Sequence, residues 1–179
     1  VYKAAALPLT GEAANKPWPA SYWPTWMDST NARWRSESEL SPMEKYDVAF
    51  NNWDASAVTG LQPFDPTNCE AGFDKEYYQN LGPAASYMSN NKGNKRSRDL
   101  YTSEGINCDE ESPVETWFGL CHAWAPAANL ELEPIYPVTL NGVTFYQADI
   151  KALILTVYDG TKSVILGGRC NTKEVERDE

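Results

Sequence analysis

The clearest helical pattern in the first half of the chain lies in the stretch LSPMEKYDVAFNNW. Ser41 can act as N-cap, a proline follows at the first helical position, and Glu44 stands at the third. Tyr46 and Phe50 then follow at helical spacing. The pattern predicts a helix over about residues 42–51.

A second helical stretch begins after Asp74, in the sequence DKEYYQNLG. Tyr77, Tyr78 and Leu81 would lie on one side of this helix, and Gly82 is a residue type that ends helices. The sequence PAASYMS that follows can continue the helix after a break.

Alternation of apolar and polar residues marks a hairpin in VTLNGVTF. Asn141 and Gly142 fit the two central positions of a type I′ turn, and apolar residues alternate with threonine before and after them. The pattern predicts two short strands joined by a two-residue turn.

A helix is predicted after the hairpin, with Asp149 as its N-cap and Gly160 at its end. Its apolar stripe consists of Ile150, Leu153, Ile154 and Val157. The β-branched content of this stretch leaves a strand open as the alternative. KSVILGG is expected to form a short buried strand, and RCNTKEVERDE reads as a charged tail.

Helices followed by a hairpin predict an α+β domain. With 179 residues and 42% hydrophobic content, the chain is long enough to bury the core of one domain. The sequence therefore predicts a single domain over 1–179.

Residues 16–34 hold three prolines and four of the seven tryptophans. The prolines exclude a regular helix, so an extended segment held down by its rings is expected. Large aromatic rings usually pack in cores with one polar edge in water. The alternative is a sugar-binding or peptide-binding platform, although no regular spacing of the rings supports it.

Charge argues against two classes of partner. The 25 acidic and 15 basic residues give a net charge of -10, which repels nucleic acid and anionic membrane surfaces. No window reaches the roughly 18 consecutive apolar residues that a membrane helix needs. The start Val1-Tyr2-Lys3 resembles neither an initiator methionine nor a secretory signal, so a mature or trimmed product is expected.

The four cysteines, Cys69, Cys108, Cys121 and Cys170, show no CxxC spacing, which argues against a structural zinc site. If one of them is a free nucleophile, three remain. Three cannot all pair within the chain, so in an oxidising compartment one of them must pair elsewhere.

Cys121, in ETWFGLCHAWAPAA, has two interpretations. It can be a buried small hydrophobic residue, or a nucleophile in the first turn of a helix. Gly119 permits a tight turn before it, and CHAWAPAANL is helix-prone apart from Pro126, which must kink the helix or make its start irregular. Free N–H groups at a helix N-terminus stabilise a thiolate and can bind an oxyanion.

One apolar face is expected to anchor this helix. It consists of Leu120, Trp124, Ala127 and Leu130.

His122 is the only histidine of the chain and is a poor base for its neighbour. Successive residues point about 100° apart on a helix, so the two side chains diverge. The same geometry argues against a metal site at Cys121 and His122. His122 is therefore interpreted as a structural or rim residue. This leaves three alternatives: Cys121 is inert, an acidic group replaces the imidazole, or the base comes from polypeptide not present here.

Several long blocks of the chain resemble the secreted oomycete transglutaminase elicitors. They are KPWPASYWPTW with ARW after it, ESPVETWFGLCHAWAPAA, LNGVTFYQADIKALI followed by YDG, and LGGRCN. The resemblance implies a secreted, extracellular enzyme in which Cys121 is the catalytic nucleophile. It also implies a papain-like core, with the cysteine at the start of a central helix.

In that family the polypeptide continues well beyond the point matching Glu179. The resemblance therefore implies that 1–179 is the N-terminal part of a larger transglutaminase domain. The catalytic histidine and its carboxylate partner would lie in the C-terminal remainder. The implied substrates are proteins with exposed glutamine and lysine side chains, which the enzyme crosslinks through a thioester on Cys121.

Calcium is expected from the resemblance alone, because the chain has no EF-hand pattern and the acidic run at 109–111 is typical of a solvated loop. No organic cofactor is expected. Two departures from papain-like enzymes stand out: His122 replaces the usual tryptophan, and no glutamine precedes Cys121 at the distance of their oxyanion donor. We predict a Cys69–Cys108 disulfide and a disulfide between Cys170 and the remainder.

Two alternatives to a transglutaminase stay open. A papain-like cysteine peptidase or a glutamine deamidase would use the same Cys121. A noncatalytic cell-wall binding or elicitor module would instead use the aromatic residues, and Trp23 is the residue that tests it.

Overall fold

Five α-helices and one two-stranded sheet form the regular structure in residues 10–63, 74–93, 116–162 and 164, which the computed structural model describes. The helices are α1 (Pro42–Phe50), α2 (Lys75–Gln79), α3 (Pro83–Asn91), α4 (Cys121–Leu130) and α5 (Gln147–Asp159). The strands are β1 (Val138–Leu140) and β2 (Val143–Phe145). Helices beside a small antiparallel sheet agree with the expected α+β class.

Helix α1 begins with the predicted capping box. The Ser41 hydroxyl accepts a hydrogen bond from the Glu44 N–H at 3.1 Å, and the Glu44 carboxylate accepts one from the Ser41 N–H at 2.7 Å. The two aromatic residues at helical spacing do not form a buried face. Tyr46 and Phe50 are 37% and 45% exposed and contact each other at a ring distance of 4.9 Å.

The buried face of α1 carries charge instead. Glu44 and Asp47 are fully buried and Lys45 is nearly so. The Lys45 ammonium lies 2.6 Å from the carboxylate of Asp149 and 2.7 Å from that of Glu39. Buried charges require such partners, so α1 is held to α5 by ion pairing as well as by apolar packing.

Asp47 explains how α3 begins. Its carboxylate accepts hydrogen bonds from the N–H groups of Ala84 and Ala85, at 2.9 and 2.8 Å. Gly82 is the N-cap of α3, not the end of α2 as predicted, because α2 already stops at Gln79. A Cβ on Gly82 would lie 2.5 Å from the Asp47 carboxylate, so glycine allows this close approach.

The hairpin forms as predicted. Asn141 and Gly142 both have positive φ, +49° and +80°, as a type I′ turn requires. Strand β1 pairs antiparallel with β2 in the register Val138 with Phe145, Thr139 with Thr144 and Leu140 with Val143. The turn side chain also contacts α1, since the Asn141 amide donates to the Ala49 carbonyl at 2.8 Å.

Asp149 does not cap α5 in the predicted way. The helix begins three residues earlier than predicted, at Gln147 after the N-cap Tyr146, and Asp149 is its third residue. From there the Asp149 carboxylate accepts from the Tyr146 N–H at 2.8 Å and from the Trp34 indole at 2.7 Å. The Asp149 carboxylate therefore accepts the N–H of the N-cap residue from within the first turn, as in a capping box.

The buried side of α5 also differs from the predicted stripe. Ala152 and Leu155 are fully buried, whereas Val157 is 69% exposed. Helix α5 packs on α4 and on α1. The most buried residues of α5 therefore face these two helices, and the predicted apolar stripe lies beside them.

The larger apolar core lies between α4, α5 and the aromatic segment, which is residues 16–34. Its buried members are Trp18, Trp23, Leu120, Ala123, Ala127, Ala128, Ala152 and Leu155. The expected α4 face is correct at Leu120 and Ala127, but Leu130 is 66% exposed because α4 ends there and the chain continues extended. The aromatic segment is packed, as predicted, and includes two short 3₁₀ turns, Thr25–Met27 and Ser29–Asn31.

Within the described part of the chain, no helix combines the length and apolarity needed to cross a membrane. The expected KSVILGG strand and charged tail fall almost entirely outside the described residues. So do Cys69, Cys108 and Cys170, and with them the predicted disulfides.

Candidate active site

Cys121 is the first residue of α4 and has an exposed free thiol. The N-cap is Leu120, whose carbonyl accepts hydrogen bonds from the N–H groups of Ala123 and Trp124 at 3.0 and 2.9 Å. Helix geometry gives the N–H groups of Cys121 and His122 no acceptor within the helix. The thiol therefore lies beside free donors and the positive end of the helix dipole.

The loop before the thiol, residues 116–120, is held by the aromatic segment. The Thr25 N–H donates to the Phe118 carbonyl at 2.9 Å, and the Leu120 N–H donates to the Tyr22 carbonyl at 2.6 Å. The Tyr22 hydroxyl donates to the Thr116 carbonyl at 2.8 Å. These three bonds fix the main chain up to the residue before Cys121.

Gly119 allows this close contact. A Cβ there would lie 2.5 Å from the Tyr22 carbonyl oxygen and 3.0 Å from that of Trp23. The sequence indicated that Gly119 permits a tight turn, and the structure shows that glycine also permits the close approach of a second chain segment. Trp23 itself has a φ of +47°, which is strained for a large side chain.

Two aromatic rings in the loop before the thiol are exposed. Trp117 is 62% exposed and Phe118 is 55% exposed, and their rings contact edge to face with centroids 5.4 Å apart. Their backbone is fixed while their side chains face solvent. Phe118 is three residues from Cys121, so their Cα atoms are within about 11 Å of each other.

His122 is directed towards α5. Its Nε2 lies 2.7 Å from a carboxylate oxygen of Asp159, the last residue of that helix, and Lys92 contacts the same carboxylate at 3.0 Å. Among the described residues, no hydrogen bond joins His122 to Cys121. Sequence reasoning gave His122 a structural role, and this contact agrees with it.

The described residues bring the Cys121 thiol and local N–H donors together but not the other groups that a catalytic site would need. No histidine or carboxylate among them forms a hydrogen bond with Cys121. No three His, Cys, Asp or Glu side chains in this part of the chain gather as a metal site would, so none fits the expected calcium ion. The acidic run at 109–111 lies outside the described residues.

Sequence reasoning missed Tyr22, Thr25 and Asp159. Tyr22 and Thr25 contact the loop mainly through their backbone atoms. Asp159 lies 37 residues from His122 in the sequence, on a separate helix. No local pattern marks any of them. The block KPWPASYWPTW, which contains Tyr22 and Thr25, was the available signal that this segment serves the site.

A cavity of about 440 Å³ lies along the aromatic segment. Trp23, Trp34 and Lys151 are among its lining residues. Trp23 is only 4% exposed and belongs to the core, whereas Trp34 is 43% exposed and donates its indole N–H to Asp149. Core packing therefore describes Trp23, and Trp34 keeps one side in water.

Comparison with known proteins gives two matches. A family model described as "Transglutaminase elicitor" matches residues 1–179. Among solved structures, the crystal structure of the GP42 transglutaminase from Phytophthora sojae is similar, with a TM-score of 0.55 and 32% sequence identity. That match covers 89% of this chain and 43% of the other, so the chain spans less than half the length of this relative. Among curated proteins no match is found.

Proposed function

This chain belongs to the transglutaminase elicitor family, and we propose that it supplies the nucleophile of a transglutaminase that joins protein glutamine to lysine. Cys121 is the proposed nucleophile. The observation that carries the proposal is the exposed thiol at the first position of α4, behind a loop fixed by three hydrogen bonds. The match to the Phytophthora sojae transglutaminase supports the same activity class.

The proposed reaction has two halves. The Cys121 thiolate attacks the side-chain carbonyl carbon of a glutamine, and the oxyanion that forms is stabilised by free N–H groups of the first helical turn. A general base, which took the thiol proton before the attack, gives that proton to the departing nitrogen as the carbon–nitrogen bond breaks, so ammonia leaves and a thioester remains. A lysine amine attacks this thioester, loses a proton to the base, and releases the thiolate as the isopeptide bond forms.

The base and its carboxylate partner belong, in this proposal, to further polypeptide of the intact protein. The support is twofold: His122 is engaged with Asp159, and the solved relative is more than twice as long as the matched region. A papain-like arrangement, secretion to the extracellular space and calcium dependence are further parts of the proposal.

Incorporation of a fluorescent amine into a glutamine-rich protein tests the proposal in the intact natural protein. We expect Cys121→Ala and Cys121→Ser to lower the rate by more than about 1,000-fold. Ala125→Ser is the matched control, because Ala125 is exposed one turn further along α4 and should leave the rate unchanged. Full activity in either Cys121 variant would refute the proposed role.

Product analysis separates the alternatives that use the same thiol. Ammonia release with amine incorporation indicates a transglutaminase, whereas ammonia release without incorporation indicates a deamidase. Cleavage of the substrate backbone indicates a peptidase. Each of the last two outcomes would replace the proposed reaction while keeping Cys121 as nucleophile.

A further inference from the structure

The start of α4 is weakly held by its own hydrogen bonds. Pro126 lies inside the helix and has no N–H, so it cannot donate to the carbonyl of His122 four residues earlier. The N–H groups of Cys121 and His122 also have no acceptor in the helix. The turn that carries the thiol therefore depends on contacts from other parts of the chain.

One such contact comes from the residue before the thiol. The Leu120 N–H donates to the Tyr22 carbonyl at 2.6 Å, and the Leu120 side chain is 3% exposed in the core. This fixes the chain on the N-terminal side of Cys121.

The other contact comes from the residue after the thiol. His122 Nε2 lies 2.7 Å from Asp159, whose side chain is 8% exposed, and the Lys92 ammonium lies 3.0 Å from the second carboxylate oxygen. Asp159 is the last residue of α5, and α5 packs along α4 in the core. A nearly buried carboxylate on a helix packed in the core is a fixed point on the scaffold, whereas the His122 ring itself is 64% exposed.

We propose that the hydrogen bond between Asp159 and His122 positions the Cys121 thiol. This inference rests on the proposed role of Cys121 as nucleophile. His122 acts as a positioning residue: its side-chain bond to Asp159 holds the residue whose main-chain carbonyl receives no helical hydrogen bond from Pro126, and so fixes the direction in which the adjacent thiol points. Its place next to the cysteine then has a function that does not involve proton transfer between the two side chains.

Four variants of the intact natural protein test this proposal. His122→Ala and Asp159→Ala remove the bond, and His122→Gln keeps a donor that can reach Asp159. Lys92→Gln is the matched control, because it removes the other partner of Asp159 without touching α4. The readouts are kcat and KM for amine incorporation, the rate of Cys121 alkylation by iodoacetamide, and Tm.

The two alanine variants should lower kcat by about 10- to 100-fold with KM within about twofold, since small misplacements of a reacting group have costs of this size. Their double variant should lose no more than either single one, because both break the same bond. His122→Gln should regain most of the loss, and Lys92→Gln should stay within about twofold of wild type. Alkylation should slow in the alanine variants alone.

Unchanged kcat and unchanged alkylation in His122→Ala would overturn the positioning role. A loss above about 10,000-fold that His122→Gln does not rescue would overturn it in a different way, because His122 would then be the base. If the wild-type protein incorporates no amine but alkylation still responds to the variants, the proposed function fails while the positioning contact stands. The exposed His122 ring makes unfolding of His122→Ala a minor concern, which Tm checks.

Discussion

Hydrogen bonds and ion pairs hold both the charged face of α1 and the start of α4. The groups that they hold are buried in the first region and exposed in the second. Around α1, the side chains of Glu44, Lys45 and Asp47 are 5% exposed or less, and each has at least two partners. At the start of α4, Cys121 is exposed, and the bonds that hold it involve the residues before and after it. The first region uses polar groups to fix helices to each other, and the second uses them to present one reactive group to solvent.

This difference separates stability from activity. Changes at the α1 face should reduce the free energy of unfolding. Changes at the 116–120 loop and the first turn of α4 should reduce the reaction rate while leaving the fold intact. Variants in each region test that division.

Glu44→Gln should lower the free energy of unfolding by about 3–5 kcal/mol, because the Arg33 guanidinium, whose side chain is only 9% exposed, loses its charged partner. Arg33 now makes two hydrogen bonds to Glu44, at 2.8 and 3.0 Å. Urea unfolding measures the change. The matched control is Glu133→Gln at an exposed ion pair with Lys151, where we expect at most about 1 kcal/mol. Equal decreases in the free energy of unfolding for the two variants would contradict the argument that burial makes the Arg33–Glu44 ion pair the more important one.

Trp18→Ala should lower the free energy of unfolding by about 3 kcal/mol, since the ring is 2% exposed in the core and its N–H donates to the Glu131 carbonyl. Trp117→Ala should change it by at most about 0.5 kcal/mol, because that ring is 62% exposed. Thermal and urea unfolding of both variants compare the two tryptophans directly. A large decrease in the free energy of unfolding for Trp117→Ala would mean that the exposed rings help to stabilise the fold.

Gly119→Ala should reduce amine incorporation by about 100-fold, equal to about 2.7 kcal/mol of barrier, because the added methyl group meets the Tyr22 carbonyl and displaces the loop before Cys121. Gly11→Ala is the control, since a Cβ there meets nothing within 4 Å. Steady-state rates measure both. An unaffected Gly119→Ala rate would show that the close approach to Tyr22 is not needed for activity.

Alkaline pH should weaken the α1 face through Tyr77. Burial, followed by the neighbouring Glu44, raises the pKa of Tyr77 well above its usual value near 10. Above about pH 10 the unfolded phenol loses its proton while the folded one keeps it, so the free energy of unfolding falls by about 1.4 kcal/mol per pH unit. Tyr77→Phe should lack this loss. Parallel pH slopes in urea unfolding of the two proteins would contradict the prediction.

Features that depend on neighbouring residues could be predicted from the sequence. The capping box at Ser41 and Glu44 and the turn at Asn141 and Gly142 are set by local geometry, and both form as expected. Helix-prone residues after Gly119 likewise place Cys121 in the first helical turn. The family was identified from long sequence blocks, and the family model confirms it.

Features that depend on packing could not be predicted in the same way. Tyr46 and Phe50 have the spacing of a buried face, but the partners available to Glu44 and Lys45 reverse which side of α1 is buried. Asp47 caps α3 and Asp159 contacts His122 only because separate helices come together. Such contacts leave no periodic signal in the sequence.

The most direct test of the central claim is to trap the acyl-enzyme. The intact natural protein is incubated with a glutamine-containing donor peptide without an amine acceptor, quenched in acid, and analysed by peptide mass spectrometry. We predict a thioester on Cys121, with the mass of the donor peptide less one ammonia, and no adduct in Cys121→Ala. An adduct on another residue, or release of ammonia with no adduct on Cys121 at any time point, would contradict the assignment of Cys121 as the nucleophile.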